Sequence, residues 1–312
     1  MLQVSNLCKT FGKLKAVDGL NFTLEPGHIY AFVGPNGAGK TTTMRMIATL
    51  DLPTSGDISV DGKSIFDYTY EIRKTIGYMP DHFGIYKNLN VRDYLEFYAR
   101  AYQLPRSSRR RSIEDVMEFT GLQSMQDKLV PTLSKGMMQR LNMGRGLLNN
   151  ASVLVLDEPA AGLDPRARIE LRFLLKALAA QGKTIFVSSH ILSELAEMCD
   201  GMLIIDKGRQ VVFGTVDEIQ ARMQGLSEIH VRLVPGSGQG ERLEQWLLEN
   251  PVVNAIVTAE ADSIRFSTGA SREETSALLV AMVNQQFPVL EFRPITLTME
   301  DVFMQITDGE LA

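Results

Sequence analysis

The sequence predicts an α/β fold with a mixed, mostly parallel sheet, carrying an antiparallel β subdomain and a helical subdomain, followed by a small α+β domain. Three observations predict it. Apolar strand-like runs alternate with helical patterns between residues 28 and 213. One such run leads directly into a glycine-rich turn and a helix, at His28–Leu50. After about residue 225 the order changes to strand, helix, strand, strand, helix, strand, which is a ferredoxin-like order.

Taken in order, Leu2–Leu7 alternates as a half-buried strand, Phe11-Gly12-Lys13 turns, and Ala16–Leu24 is a second strand closed by Pro26-Gly27. His28–Val33 is a short buried strand, and Thr43–Leu50 reads as a helix. Asp57–Val60 with Asp61-Gly62 reads as a hairpin. Ile76–Asp81 precedes a mostly helical block at about 85–150, with helices at Val91–Tyr102, Ile113–Thr120 and Met137–Leu148. The basic run Arg106–Arg111 reads as a solvated helix start or as a contact for a phospholipid or partner. Strand character returns at Val153–Leu156 and Thr184–Ser188 around a helix at Pro165–Ala180. Met202–Ile205 and Gln210–Phe213 form a pair turned by Lys207-Gly208. In the last domain the strands are 228–234, 252–258, 263–267 and 289–293, the helices 241–249 and 272–286, and a closing helix spans Met299–Thr307. The domains are therefore expected at 1–222 and 226–312.

The bulk numbers narrow the function. At 312 residues, 45% hydrophobic and 22% charged, the composition is that of a globular protein. The net charge of -5 gives no sign of a nucleic-acid partner. Cys8 and Cys199 lie in apolar stretches and read as buried thiols. No apolar run approaches about 20 residues, so a cytoplasmic protein that reaches a membrane only by docking is expected.

The chemistry sits in Gly34-Pro35-Asn36-Gly37-Ala38-Gly39-Lys40-Thr41-Thr42. Gly-x-x-x-x-Gly-Lys-Thr between a strand and a helix is a triphosphate cradle. Backbone N–H groups and a helix N-terminus face the phosphates. Lys40 is expected to reach the β- and γ-phosphates and Thr41 to ligate Mg²⁺, which makes ATP and Mg²⁺ the expected cofactors. Val153–Leu156 then delivers Asp157 and Glu158 at the end of a buried strand, where open α/β sheets bind ligands. Asp157 is read as the magnesium carboxylate and Glu158 as the group that polarises the attacking water.

With these motifs the chain resembles the ATP-binding cassette (ABC) family of transporter ATPases over about residues 2–220. Leu133–Arg140 is similar to the family's signature, Ala161–Asp164 to the loop that couples two cassettes, and Ser189-His190 to the switch histidine. Phe11 stands where the family stacks an aromatic ring on adenine, and Val17 is counted with it in the ATP site. Two departures stand out. Lys135 replaces the first glycine of the signature, as in the branch that exports drugs, polysaccharides and lipids. Asp81 stands where the family has Gln or Glu, and reads either as a metal-sensing group or as a loop cap. Leu297–Phe303 resembles the closing motif of that branch.

The resemblance implies an ATPase subunit that energises a separate integral membrane permease, for export, while attached to the cytoplasmic face through it. It implies a head-to-tail homodimer, or pairing with a second ABC subunit, in which Ser134 and Gly136 of one copy meet the γ-phosphate held by Lys40 of the other. Catalysis falls to Glu158 and His190, and the metal to Thr41, Asp157 and Asp81. The segment Asp81–Leu89, with Phe83, Ile85 and Tyr86, would meet the permease or pack in the core. The alternative is a non-transport ABC ATPase acting on ribosomes or nucleic acid.

Overall fold

The computed structural model describes residues 1–82, 84, 86–189, 198–216, 218, 219 and 227–295. The chain divides into two compact units, Met1–Val216 and Asp217–Ala312.

In the first unit, β1 (Leu2–Phe11), β2 (Leu14–Leu24), β4 (Ser55–Val60) and β5 (Lys63–Ser64) form an antiparallel sheet in the order β2-β1-β4-β5. A register shift between Ser5 and Cys8 moves the buried side from Leu2 and Val4 to Leu7. At that shift Gly56 is obligatory: a Cβ there would lie 2.2 Å from the Asn6 carbonyl. The predicted Asp61-Gly62 hairpin forms, with both residues at positive φ (49° and 78°), as a tight primed turn requires.

The second sheet runs β10-β9-β3-β8-β7-β6. Its strands are β3 (Ile29–Val33), β6 (Ile76–Met79), β7 (Val153–Leu156), β8 (Thr184–Ser189), β9 (Gly201–Asp206) and β10 (Arg209–Thr215). All neighbours are parallel except β9 and β10. Strands β7 and β8 are buried along their whole length, which explains the unbroken apolar sequence of β7 and the apolar run Ile185–Val187 within β8. Phe186 on β8 lies 4.8 Å from Phe32 on β3 and 5.5 Å from Phe22 on β2, centroid to centroid, so it joins the two sheets. Burying a Phe of this kind stabilises by roughly 1.5–3 kcal/mol.

Helix α1 (Lys40–Ile47) begins three residues before the predicted Thr43, and α2 (Thr69–Thr75) was not expected. Only Ile72 of α2 is buried, so it carries no apolar stripe. The helical block contains α3 (Val91–Ala101), α4 (Arg106–Phe119) and α5 (Lys135–Leu147) around Tyr94, Leu95, Val116 and Leu141. The basic run opens α4, as the reading of a solvated helix start has it. Its arginines form ion pairs one turn on, Arg110 with Glu114 and Arg111 with Asp115. Helix α6 (Pro165–Ala180) matches its predicted bounds because Asp164 caps it and Pro165 opens it.

The second unit has the βαββαβ order: β11 (Ser227–Leu233), α7 (Gly240–Leu248), β12 (Ala255–Glu260), β13 (Ser263–Thr268), α8 (Arg272–Asn284) and β14 (Val289–Ile295). Its antiparallel sheet is ordered β12-β13-β11-β14. Strand β12 starts three residues later than predicted, since Val252 and Val253 pack on the core from the preceding turn. Trp246 of α7 lies 5.7 Å from the ring of Phe287. The expected closing helix lies outside the described residues.

Candidate functional site: a phosphate loop and a carboxylate pair at one sheet edge

Parallel register sets the site. Val33 pairs with Ser189 and Phe32 with Ser188, while Leu156 pairs with Val187. The C-terminal ends of β3, β7 and β8 therefore deliver Gly34, Asp157 and Ser188 to one edge.

The loop after β3 needs its glycines. A Cβ on Gly34 would sit 2.6 Å from the Ile205 carbonyl, and one on Gly39 would sit 2.5 Å from that of Ala16. Gly39 also has φ 105° and is the N-cap of α1, with no side-chain cap and no acidic residue in the first turn. The first N–H groups of α1 thus face the loop without a capping side chain. Lys40 is 7% exposed, and its Nζ donates to the carbonyls of Gly34 (2.6 Å) and Pro35 (3.2 Å). Burial pushes its pKa down, against the fields of Glu158 and Asp157, which raise it. Val17 is fully buried with its Cγ2 against Gly39, while Phe11, at the end of the β1–β2 hairpin, is half exposed. The ammonium of Lys9 lies 5.0 Å from the Phe11 ring centre.

Asp157 is 1% exposed. Its Oδ1 accepts from the Ser188 hydroxyl at 2.7 Å, and its buried Oδ2 has no hydrogen-bond partner. The Glu158 N–H donates to the same Ser188 oxygen at 2.9 Å. Glu158 is at φ 50°, a left-handed conformation that costs a non-glycine residue about 1–2 kcal/mol. Such strain persists where the surroundings over-determine it.

Ser134 and Gly136 lie elsewhere. Ser134 caps α5, accepting from Met137 N at 3.3 Å. A cleft of about 440 Å³ there is shared by the N-termini of α5 and α6, including Lys135, Gly162, Asp164 and Ala167, and contains no residue of the phosphate loop. Gly162 has φ 66°, and a Cβ on it would coincide with the Lys135 ammonium. Asp81 faces another cleft, of about 270 Å³, with Lys135 and Ala161, and pairs with Nδ1 of His82 at 2.9 Å. Asp81 follows β6, which α5 grips: Asn142 donates to the Pro80 carbonyl and Arg145 to that of Tyr78. Tyr86 is exposed, 5.1 Å from the exposed ring of Phe97. His190, Phe83 and Ile85 lie outside the described residues.

Comparison with known proteins gives this geometry its context. Residues 17–161 match the family described as ABC transporter, and residues 214–307 match the C-terminal domain of DrrA1-3-like ATP-binding proteins. The chain is 31% identical to Nod factor export ATP-binding protein I of Ralstonia nicotianae, over 100% of this chain and 95% of the relative. The chain belongs to the ABC transporter family. It is an ATP-binding ABC protein and an ATPase. It is also 35% identical to the bacitracin transport ATP-binding protein BcrA of Bacillus licheniformis, over 85% of this chain and 94% of that one. A solved ATP-binding subunit of an ABC transporter superposes with a TM-score of 0.65 at 29% identity, covering 72% of this chain and 93% of that one. The fold expected from the sequence, an ABC cassette with mixed and antiparallel sheets and helices, is the fold observed. Ser188, which ties the two carboxylate residues together, went unread in the sequence. Its one signal was position: it sits on the buried strand next to the one that carries Asp157.

Proposed function

We propose that this ABC ATPase drives export through a separate membrane permease, and that ATP is hydrolysed at two composite sites between two copies. Export is taken from the relatives, which are named for export and transport, and this favours transport over work on ribosomes or nucleic acid. Among the described residues no helix is long and apolar enough to cross a membrane, which fits a permease on another chain. Attachment to the cytoplasmic face would then run through that permease, with exposed Tyr86 and Phe97 as the contact.

The observation that carries the composite site is the separation of its parts. The cleft at Ser134 and Gly136 holds two helix N-termini and the Lys135 ammonium, but no phosphate-loop residue. Its lining also carries Arg140 and Arg166 against the carboxylates of Asp164 and Glu170, a net positive set that suits an anion at the α5 N-terminus, and the γ-phosphate on the loop of a second copy would supply one. Closure with the copies head to tail completes both sites at once.

The residues fit Mg²⁺. The buried Oδ2 of Asp157 is a carboxylate oxygen without a partner, and Thr41 stands on the exposed side of the first turn of α1. Mg²⁺ takes one or two protein oxygens and fills its other positions with phosphate oxygens and water, so a larger acidic cluster is not needed. Bound there, the ion would offset charge that develops on the phosphates. Gly34–Thr42 would hold the triphosphate, with Lys40 exchanging its two carbonyls for phosphate oxygens. Phe11 would stack on the adenine and Val17 would back the loop. Glu158 would orient and deprotonate the attacking water, with His190 on the γ-phosphate. Asp81 would act at the coupling cleft beside Lys135 rather than at Asp157.

The test is Glu158→Gln. It should bind ATP, accumulate as a dimer in ATP by size-exclusion chromatography, and lose turnover by about 10²–10⁴-fold, the worth of a positioned general base. Turnover at the parent rate, or a monomer in saturating ATP, would defeat the proposal.

A further inference from the structure

We infer that Ser188 is a positioning residue that sets both carboxylate residues through one hydroxyl. The inference rests on the reading of Asp157 and Glu158 given above and adds a third residue to it.

A serine hydroxyl has one proton to give and lone pairs to accept with. Here its roles are forced. A backbone N–H can only donate, so the Glu158 amide makes the Ser188 oxygen an acceptor at 2.9 Å. The Ser188 proton is left for the Asp157 Oδ1 at 2.7 Å. The chain of bonds therefore runs one way, from the Glu158 amide through Ser188 Oγ to Asp157. Ser188 is fully buried, so water does not compete for either bond.

Two consequences follow. Asp157 has one oxygen occupied and the other, Oδ2, without a partner, so it offers a metal a single oxygen in a fixed direction. Glu158 is held at φ 50° by a bond to its own amide, which aims its side chain away from the course a strand would give it. The same hydroxyl thus couples the direction of the metal carboxylate to the direction of the general base. Strand register makes this possible: Ser188 lies one residue beyond Val187, which pairs with Leu156, so it stands beside Asp157.

The decisive comparison is Ser188→Thr against Ser188→Val in the full-length protein. Both add similar bulk to the buried strand, and only Thr keeps the hydroxyl. Turnover is measured together with ATP affinity in EDTA and in Mg²⁺. Val should turn over about 10–100-fold more slowly than Thr, as expected when a reacting group is misplaced by a fraction of an ångström. Affinity in EDTA should agree within about twofold, while the gain in affinity on adding Mg²⁺ should be largely lost in Val. Ser188→Ala, which only removes the oxygen, should repeat the Val result without added bulk. In a Glu158→Gln background Ser188→Ala should cost less turnover than in the parent, because the aim of Glu158 no longer counts, while its loss of the Mg²⁺ gain, which runs through Asp157, should persist. Equal turnover and equal Mg²⁺ gain for Thr and Val, with Ala like the parent, would overturn the inference. If Glu158→Gln itself turns over at the parent rate, the general-base assignment fails, and the Mg²⁺ gain of Thr against Val still decides whether Ser188 orients Asp157.

Discussion

The Nζ of Lys40 donates to the carbonyl of Gly34 at 2.6 Å, so the phosphate loop closes on its own lysine. A charge-assisted bond of this kind is worth about 1.5–3 kcal/mol. Its counterpart to a phosphate is what Lys40→Met removes. ATP affinity should fall about 10- to 100-fold by fluorescent-nucleotide titration. The fold should persist, because the substitution also removes the cost of a buried ammonium. An unchanged Kd would take Lys40 out of the nucleotide site.

The depressed pKa of Lys40 gives a pH signature. Its folded value lies below the ordinary 10.5, because burial disfavours the charged form. Between the folded value and 10.5 the unfolded chain holds more protons, so stability contributed by this group rises with pH across that window. Phosphates placed against the ammonium should raise its pKa. Nucleotide binding should therefore take up protons through Lys40 as the pH approaches 10.5 from below. Calorimetry in buffers of different ionisation enthalpy measures this directly, and proton release at alkaline pH would contradict it.

Lys135 and Gly162 should behave as a pair. The ammonium of Lys135 occupies the place of a Cβ on Gly162. Gly162→Ala should displace it and lower turnover several-fold, and its left-handed strain should separately lower stability by about 1–2 kcal/mol. With Lys135→Gly in place the same change should leave turnover nearly unchanged and keep only the stability cost. A double-mutant cycle with no coupling would mean that the contact carries no function.

Glu158 gives a test that separates stability from activity. Asn tolerates a left-handed backbone better than Ala. Glu158→Asn and Glu158→Ala should both abolish most turnover, but the Asn variant should melt higher. Equal melting temperatures would show that the strain at φ 50° is not held against a cost.

The sequence made the buried elements legible and hid the exposed ones. Strand β7 and helix α6 match their predicted bounds, because four apolar residues ending at Asp157 and an Asp164-Pro165 start leave little choice. Helix α1 starts earlier than predicted because its N-cap is Gly39, in a conformation that reads as loop. Helix α2 buries only Ile72 and left no periodic trace. The bulge in β1 shifts its alternation, so Leu7 falls out of phase with Leu2 and Val4. Within the site, the loop and the carboxylate pair were readable as motifs, whereas Ser188 was not. Its role depends on which strand lies beside β7, and that is a property of sheet order.

The single tryptophan of the chain, Trp246, belongs to the second unit, packed near Phe287. Intrinsic fluorescence excited at the indole band therefore has its source outside the cassette. Binding at the phosphate loop has no native tryptophan nearby in its own unit to report it, so an added label or a nucleotide analogue is required there. The same fact makes the indole a sensor of communication. A change in its emission on adding ATP would show that nucleotide alters the surroundings of Trp246 in the second unit, recorded without modifying the protein.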